Sequence, residues 1–244
     1  MNLEKKEISC ILCNDVAKIK YENYPGYQIP FKYDIYHCES CNTSFSTPRN
    51  ETNGIYELIY KNGADVRWYD RYWKYAETVK TVANPLKYLA QSEEIYWAIK
   101  KTLTQISRNS KTTPKILEIG CGLGYLTYSL NKAGYDSTGL DISQEAINRA
   151  IQNYGNKYVC SDVNNYLKNH ENEFDVIIFT ELIEHLHEID SFISTLTKLL
   201  KIDGKIILTT PNKSFFPPTI IWATDLPPVP VSYTHLTLPT NREV

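Results

Sequence analysis

The sequence predicts an α/β protein in which a doubly wound, mostly parallel sheet is preceded by a small cysteine-rich ribbon and by helices. Three observations predict it. Two Cys-x-x-Cys pairs stand near the N-terminus, short apolar runs alternate with helical stretches from Lys115 onward, and the first of those runs enters a turn with glycine at every second position. Strand and helix repeated at this pitch give a parallel sheet with right-handed crossovers, whose ligands bind beyond the carboxyl ends of the strands.

The pairs are Cys10-x-x-Cys13 and Cys38-x-x-Cys41, 24 residues apart. Each can form a knuckle that aims two thiolates at one point, and two knuckles complete a tetrahedral sulfur site, so residues 1–50 read as a zinc ribbon with structural Zn²⁺ on Cys10, Cys13, Cys38 and Cys41. The segment is poor in aliphatic residues, and metal binding would supply the missing folding energy. The alternative is four unrelated free thiols. His37 is a bystander or a substitute for one thiolate.

Residues 51–113 read as a helical lid or substrate region. Trp68, Tyr69, Tyr72, Trp73 and Tyr75, then Leu86, Leu89, Ile95, Trp97, Ile99 and Leu103, recur mainly at spacings of three and four, which predicts amphipathic helices with these residues in the core. Residues 114–230 carry the sheet. Its strands are expected at Lys115–Ile119, Ser137–Leu140, Tyr158–Cys160, Phe174–Phe179 and Lys205–Thr210, with helices over Gln144–Asn153 and Ser191–Lys201.

The first strand runs into Glu118-Ile-Gly120-Cys121-Gly122-Leu-Gly124, where glycine lets the backbone fold sharply and a ligand approach closely. Asp141 follows 21 residues after Gly120, at the end of the second strand, where a carboxylate can accept both hydroxyl protons of a ribose. Asp162 lies another 21 residues on. A dinucleotide fingerprint would put glycine at Tyr125.

At this point the chain resembles the class I S-adenosylmethionine-dependent methyltransferases, with a Rossmann-like core over Lys115 to Asn212. The resemblance implies that the loop of Gly120, Cys121, Gly122 and Gly124 passes the methionine part of S-adenosylmethionine. Glu118 would help hold its amino group, Asp141 and Ile142 would meet the ribose side, Asp162 and Val163 the adenine, and Thr180 would flank the cofactor. The blocks Phe174–Leu186 and Leu199–Asn212 look like the family's fourth and fifth strand regions. A ribbon before such a core resembles a subgroup found among sugar and polysaccharide biosynthesis genes, which implies a small-molecule acceptor of the sugar or glycan-precursor type.

Glu181, Glu184 and His185 are spaced to share one face of a helix after the fourth strand, where the transferred methyl group would be. Three roles are open to His185: proton acceptor from the acceptor group, metal ligand with Glu181 and Glu184, or a structural role. Similar Glu-x-x-Glu-His blocks occur in metal-dependent RNA 2′-O-methyltransferases, which makes that activity one alternative. A non-catalytic ribbon-containing binding protein and an NAD(P)-dependent oxidoreductase are the others. His187 reads as a solvated helix residue.

Composition narrows the classes further. Lys and Arg number 16 before Pro114 and 10 from there on, against 13 and 15 acids, so no basic excess of the kind nucleic-acid phosphate demands is present. No apolar run reaches the roughly 18 residues of a membrane span, and Met1–Cys10 lacks a signal-peptide stretch, so a cytoplasmic protein without membrane contact is expected. Oligomeric state is not legible.

Residues 231–244 lack core periodicity. Val231 to Thr240 can be reverse-translated into a transposon-type sequencing adapter, with Asn241–Glu243 spanned by an index. The expectation is therefore that the natural sequence departs from this one near Val229, that the core is truncated after its fifth strand, and that His235 has no role. A fifth strand left at an open edge would make such a chain aggregation-prone.

Overall fold

A computed structural model describes residues 7–25, 32–48, 60, 70–110, 112–186 and 188–210. The tail from Val231, His187, Trp68 and Tyr69 lie outside the described residues. Two compact units form, one holding Met1–Glu51, Ile183–His187 and Thr210–Val244, the other Thr52–Leu182 and Glu188–Thr209.

In the first unit β1 (Glu7–Ser9), β2 (Val16–Pro25), β3 (Lys32–Cys38) and β4 (Thr43–Thr47) make an antiparallel sheet in sequence order. Both cysteine pairs fall at its turns. The first turn closes with the Cys10 amide on Asp15 O at 2.7 Å and the Asn14 amide on Cys10 O at 3.0 Å, and the second reverses at Asn42 (φ 54°). Asparagine tolerates this left-handed backbone because its short polar side chain bonds locally. The Ser40 hydroxyl donates to Asp15, tying one knuckle to the other. The core is small: Cys10, Ala17, Tyr36, Cys38 and Phe45, with the Tyr36 and Phe45 rings stacked at 6.0 Å.

The second unit opens with α1 (Asp70–Thr78), α2 (Pro85–Ser92) and α3 (Glu94–Asn109). Asn84 starts α2 by accepting the Lys87 amide at 3.0 Å, with Pro85 pre-setting the first turn. Tyr75, Val79, Leu86, Leu89, Tyr96, Ile99 and Leu103 pack with Ile116, Leu126, Val176 and Ile178. Trp97 departs from the expectation that it is core. It is 53% exposed, with Lys101 Nζ 4.7 Å from its ring, because it falls on the opposite side of α3 from Tyr96, Ile99 and Leu103.

Five parallel strands follow: β5 (Lys115–Ile119), β6 (Asp136–Asp141), β7 (Tyr158–Cys160), β8 (Phe174–Thr180) and β9 (Leu200–Thr209), in the order β7-β6-β5-β8-β9. The order reverses beside β5, which makes its carboxyl end the switch point. The connecting helices are α4 (Tyr125–Lys132), α5 (Gln144–Tyr154), α6 (Val163–Leu167) and α7 (Ile189–Leu199). Central β8 is apolar from Val176 to Phe179, all fully buried, as a strand covered on both faces requires. β9 begins at Leu200, five residues before the expected Lys205, and Asp203 (φ 63°) together with a register shift opposite Phe174–Val176 interrupts it. Among the described residues, no helix is long and apolar enough to cross a membrane.

Candidate functional site

The turn after β5 is built from left-handed glycines. At Gly124 (φ 78°) a Cβ would stand 2.6 Å from the Tyr158 ring and 2.7 Å from Ala150, so glycine is required both by the backbone and by the packing of α4 against β7 and α5. The Tyr158 hydroxyl secures the turn by donating to Gly124 O at 2.8 Å.

Four of the turn's amides are committed within the protein. Gly120 and Cys121 both donate to Leu140 O at 2.8 and 3.1 Å, Gly124 to Cys121 O at 2.9 Å, and Gly122 to Asp141 Oδ2 at 2.8 Å. Asp141, 8% exposed, accepts the Ser143 amide through Oδ1 at 2.9 Å. Its carboxylate is thus fixed before any ligand arrives.

Glu118 is 5% exposed at the end of β5 and accepts from both the hydroxyl and the amide of Thr127 in the first turn of α4. Burial pushes its pKa up to about 8, against the lowering by the Thr127 bonds, and nearby Asp141 adds to the rise. A cation placed beside it would draw the proton off. A helix N-terminus whose Thr127 amide already serves a carboxyl group, after a turn with four amides engaged, is a poor cradle for pyrophosphate. This geometry disfavours the dinucleotide oxidoreductase.

The other expected cofactor residues divide. Ile142 is 53% exposed, an apolar side chain in the open beside Asp141. Cys121 faces inward with Ile147, Ala150 and Tyr158, and burial raises its thiol well above the ordinary range, so only its backbone is offered to a ligand. Asp162 caps α6 through Oδ1, which accepts the Asn164 and Asn165 amides at 3.0 Å, and the Asn165 amide foremost holds its pKa below the ordinary value. Val163 opens that helix. Thr180 ends β8 opposite Thr209.

Glu181, Glu184 and His185 do not share a helix face. Glu181 takes left-handed backbone (φ 50°) after β8, and only a 3₁₀ turn, Ile183–His185, follows. Glu181 is fastened to β9, its amide donating to Thr209 O at 3.0 Å and its Oε1 accepting the Thr209 hydroxyl at 2.9 Å. Glu184, 2% exposed, accepts the Thr210 hydroxyl at 3.1 Å, and its Oε1 stands 3.9 Å from His185 Nε2. Burial lowers the His185 pKa to about 4, so its imidazole is neutral near pH 7.

Among the described residues, the group of three or more potential metal ligands drawn together is Cys10, Cys13, Cys38 and Cys41, with Sγ atoms all within 4.8 Å. Two separations are 3.5 Å (Cys10 to Cys41) and 3.6 Å (Cys13 to Cys38). Tetrahedral Zn–S bonds of about 2.3 Å put sulfurs about 3.8 Å apart, so the donor set fits zinc. His37 is turned to Ser44, its cross-strand partner, at 2.9 Å.

Sequence reasoning missed a polar tyrosine cluster in the second unit. Tyr96 and Tyr125 share a hydroxyl bond of 2.6 Å, Tyr75 donates to Glu93 at 2.7 Å, and Arg71 reaches Tyr72 at 2.7 Å and Glu93 at 3.4 Å. Tyr125 was visible as the non-glycine residue closing the turn, but its partners come from α1 and α3, whose placement no local pattern encodes.

Strand order, glycine turn and ribose-type acid define a doubly wound cofactor-binding domain of the class I, S-adenosylmethionine-dependent type. The chain belongs to the methyltransferase domain family, whose model matches residues 90–244. It is 28% identical over 182 residues to the mitochondrial ubiquinone biosynthesis O-methyltransferase of Dictyostelium discoideum, covering 65% of this chain and 54% of that protein. Over 105 residues it is 35% identical to a ubiquinone biosynthesis O-methyltransferase of Coxiella burnetii, covering 41% and 44%. The chain spans about half the length of these relatives. A solved S-adenosylmethionine-dependent methyltransferase from Archaeoglobus fulgidus is similar at 25% identity and a TM-score of 0.40, covering 47% of this chain and 52% of that one.

Proposed function

We propose that this protein transfers a methyl group from S-adenosylmethionine to a small-molecule acceptor, with a sugar or glycan precursor as the acceptor class. The cofactor supplies a methyl group already activated on a sulfonium, so positioning and exclusion of water can provide most of the acceleration. Glu118 would hold the α-ammonium, Asp141 the ribose hydroxyls with Ile142 beside them, and Asp162 with Val163 the adenine side. Thr180 ends β8, and Glu181, Glu184 and His185, which follow it in the chain, would serve the acceptor. A neutral His185 with Glu184 nearby can accept a proton, although an imidazole with a pKa near 4 is a weak base unless the acceptor's arrival changes its surroundings. The four cysteines would hold structural zinc.

The observation that carries this reading is the pair of buried carboxyls, Glu118 and Asp141, beside a turn four of whose amides are already engaged. Such a site suits a ligand with an ammonium at one end and a ribose at the other. Calorimetry with S-adenosylmethionine, S-adenosylhomocysteine and NAD tests it. Both sulfur compounds should bind and NAD should not, and Asp141→Ala should weaken the sulfur compounds by about 1.5–3 kcal/mol. Tight NAD binding would reinstate the oxidoreductase.

A second acceptor class, a phenolic oxygen, is favoured by the names of the relatives, which are O-methyltransferases of ubiquinone biosynthesis. Methyl transfer to a polyprenyl catechol, with none to nucleotide sugars, would decide for it.

A further inference from the structure

In the ribbon, the second cysteine of each knuckle reaches across to the first cysteine of the other. Cys41 Sγ stands 3.5 Å from Cys10 Sγ, and Cys13 Sγ stands 3.6 Å from Cys38 Sγ. Within its own knuckle each first sulfur is wrapped by backbone. The Leu12 amide, 3.4 Å away, and the Cys13 amide donate to Cys10, and the Ser40 and Cys41 amides donate to Cys38. The knuckles are also held together by protein contacts, the Ser40 hydroxyl on Asp15 and the pairing of Ala17 in β2 with Cys38 in β3.

Exposure divides the same four atoms. Cys10 and Cys38 are 1% and 0% exposed, whereas Cys13 is open to solvent and Cys41 is half-buried. Each contact across the knuckles therefore joins an accessible sulfur to a buried one. A reactive thiolate is one that a reagent can reach, and a disulfide forms where a second thiol stands close enough to resolve the first oxidation product. Cys13 and Cys41 meet the first condition, and Cys38 and Cys10 meet the second.

We propose that the four-cysteine centre is an oxidative modification site for peroxides, at which disulfides form across the knuckles, Cys13 with Cys38 and Cys41 with Cys10, and zinc is released. The Cys13 thiolate attacks the terminal oxygen of the peroxide. An S–O bond forms as the O–O bond breaks, and the leaving oxygen takes a proton from solvent and departs as water or an alcohol. The Cys38 thiolate then attacks the sulfenic sulfur, so that the S–S bond forms, the S–O bond breaks, and hydroxide leaves and is protonated to water. Two electrons pass from the sulfur pair to the peroxide. Cys41 and Cys10 repeat the sequence with a second peroxide. Zinc is held by thiolates, and sulfurs joined in a disulfide no longer carry the charge that binds it. Both bridges tie the turn between β1 and β2 to the turn between β3 and β4, the same two turns the metal would join. Zinc release rests on the zinc reading above, whereas the pairing of the sulfurs rests on their contacts and exposure.

The test treats the zinc-loaded protein with hydrogen peroxide, follows released zinc with a chelating dye, and maps bridges by mass spectrometry of a non-reduced digest after free thiols are blocked. About two peroxides should be consumed per zinc released, one for each disulfide. The linked peptides should be Cys10 with Cys41 and Cys13 with Cys38, while Cys121, 5% exposed, carries the blocking group. Dithiothreitol with added zinc should restore the metal. Bridges of Cys10 with Cys13 and of Cys38 with Cys41 overturn the inference, as do sulfinic acids at Cys13 and Cys41 without bridges, or thiols that survive excess peroxide. Protein that is purified without zinc and still forms both bridges across the knuckles fails the zinc reading alone, and zinc-loaded protein that forms neither bridge fails this inference alone.

Discussion

Five side chains, Cys10, Ala17, Tyr36, Cys38 and Phe45, make up the buried cluster of the ribbon, and two of the five are thiols of the candidate zinc site. The sheet unit buries Ile116, Leu117, Leu130, Leu140 and Val176 through Phe179 among many others, each less than 2% exposed, with no metal needed to draw them together. One unit has more turn than core and leans on its ligand atoms. The other is held by ordinary burial at roughly 25 cal/mol per Å² of apolar surface, and can afford carboxyls such as Glu118 inside it. Stability is thus distributed differently: in the ribbon the candidate metal ligands are themselves part of the small core, whereas in the sheet unit the buried polar groups cost stability.

The sharpest way to break that comparison is to remove the metal. Purified protein should carry about one zinc per chain, and Cys38→Ser should lose it. The loss withdraws the metal's contribution to folding, on the order of 10 kcal/mol in small zinc modules. Amide exchange should then rise across β1 to β4 while β5, β6 and β8 stay protected, and S-adenosylhomocysteine should still bind. A metal-free protein whose ribbon amides remain protected would show that the five-residue core suffices.

How far these differences were legible in the sequence depends on how local their causes are. The strands at Lys115–Ile119 and Tyr158–Cys160 fall at the expected residues because runs of buried β-branched and aromatic residues between breakers are a local signal. Glu118 and Asp141 fall at the carboxyl ends of β5 and β6, as the strand pattern and the 21-residue spacing after Gly120 lead one to expect for Asp141. The block at Glu181 was misjudged because i, i+3, i+4 spacing implies a shared face only if a helix forms. Here the backbone is turned left-handed at Glu181 and tied to Thr209 of β9, a partner 28 residues away. Tyr60, whose hydroxyl a Cβ on Gly122 would meet at 2.8 Å, is more distant still: no periodicity in either segment announces the other.

A smaller effect belongs to the sheet unit and concerns the cost of its buried carboxyl. Glu118, with an ordinary pKa of 4.5, stands near 8 in the folded protein. A raised carboxyl pKa contributes stability that is fully present below 4.5 and is lost as pH rises through 8, because the folded state holds a proton that the unfolded state has released. The slope is at most roughly 1.4 kcal/mol per pH unit in that window. Glu118→Gln keeps an acceptor for Thr127 and cannot ionise, so its stability relative to wild type should climb from pH 5 to pH 8 in urea unfolding, while S-adenosylmethionine affinity falls. Parallel pH profiles for the two proteins would mean that Glu118 is solvated in the folded state.

The smallest expected effect concerns Trp97, where periodicity and structure disagree. Its place in the stretch of Leu86, Leu89, Ile95, Ile99 and Leu103, spaced mainly three and four, predicts core, and burying a tryptophan contributes several kcal/mol, so truncation of a core Trp97 would cost about 3–5 kcal/mol. In the structure more than half of the side chain is in water, and its described contact is the Lys101 ammonium at 4.7 Å, one turn further along α3. An exposed cation–π pair is worth about 0.5–1 kcal/mol. Trp97→Ala should therefore lower the unfolding free energy by no more than about 1 kcal/mol, with the denaturant slope unchanged because little buried surface is altered. A loss above 3 kcal/mol would mean that Trp97 is buried in solution. The contrast with Tyr96, its 4%-exposed neighbour, shows what decides between two adjacent aromatics on one helix. Tyr96 points to Tyr75 and Tyr125, with ring centroids about 6 Å away, and a rotation of about 100° along the helix carries the next residue out of the cluster.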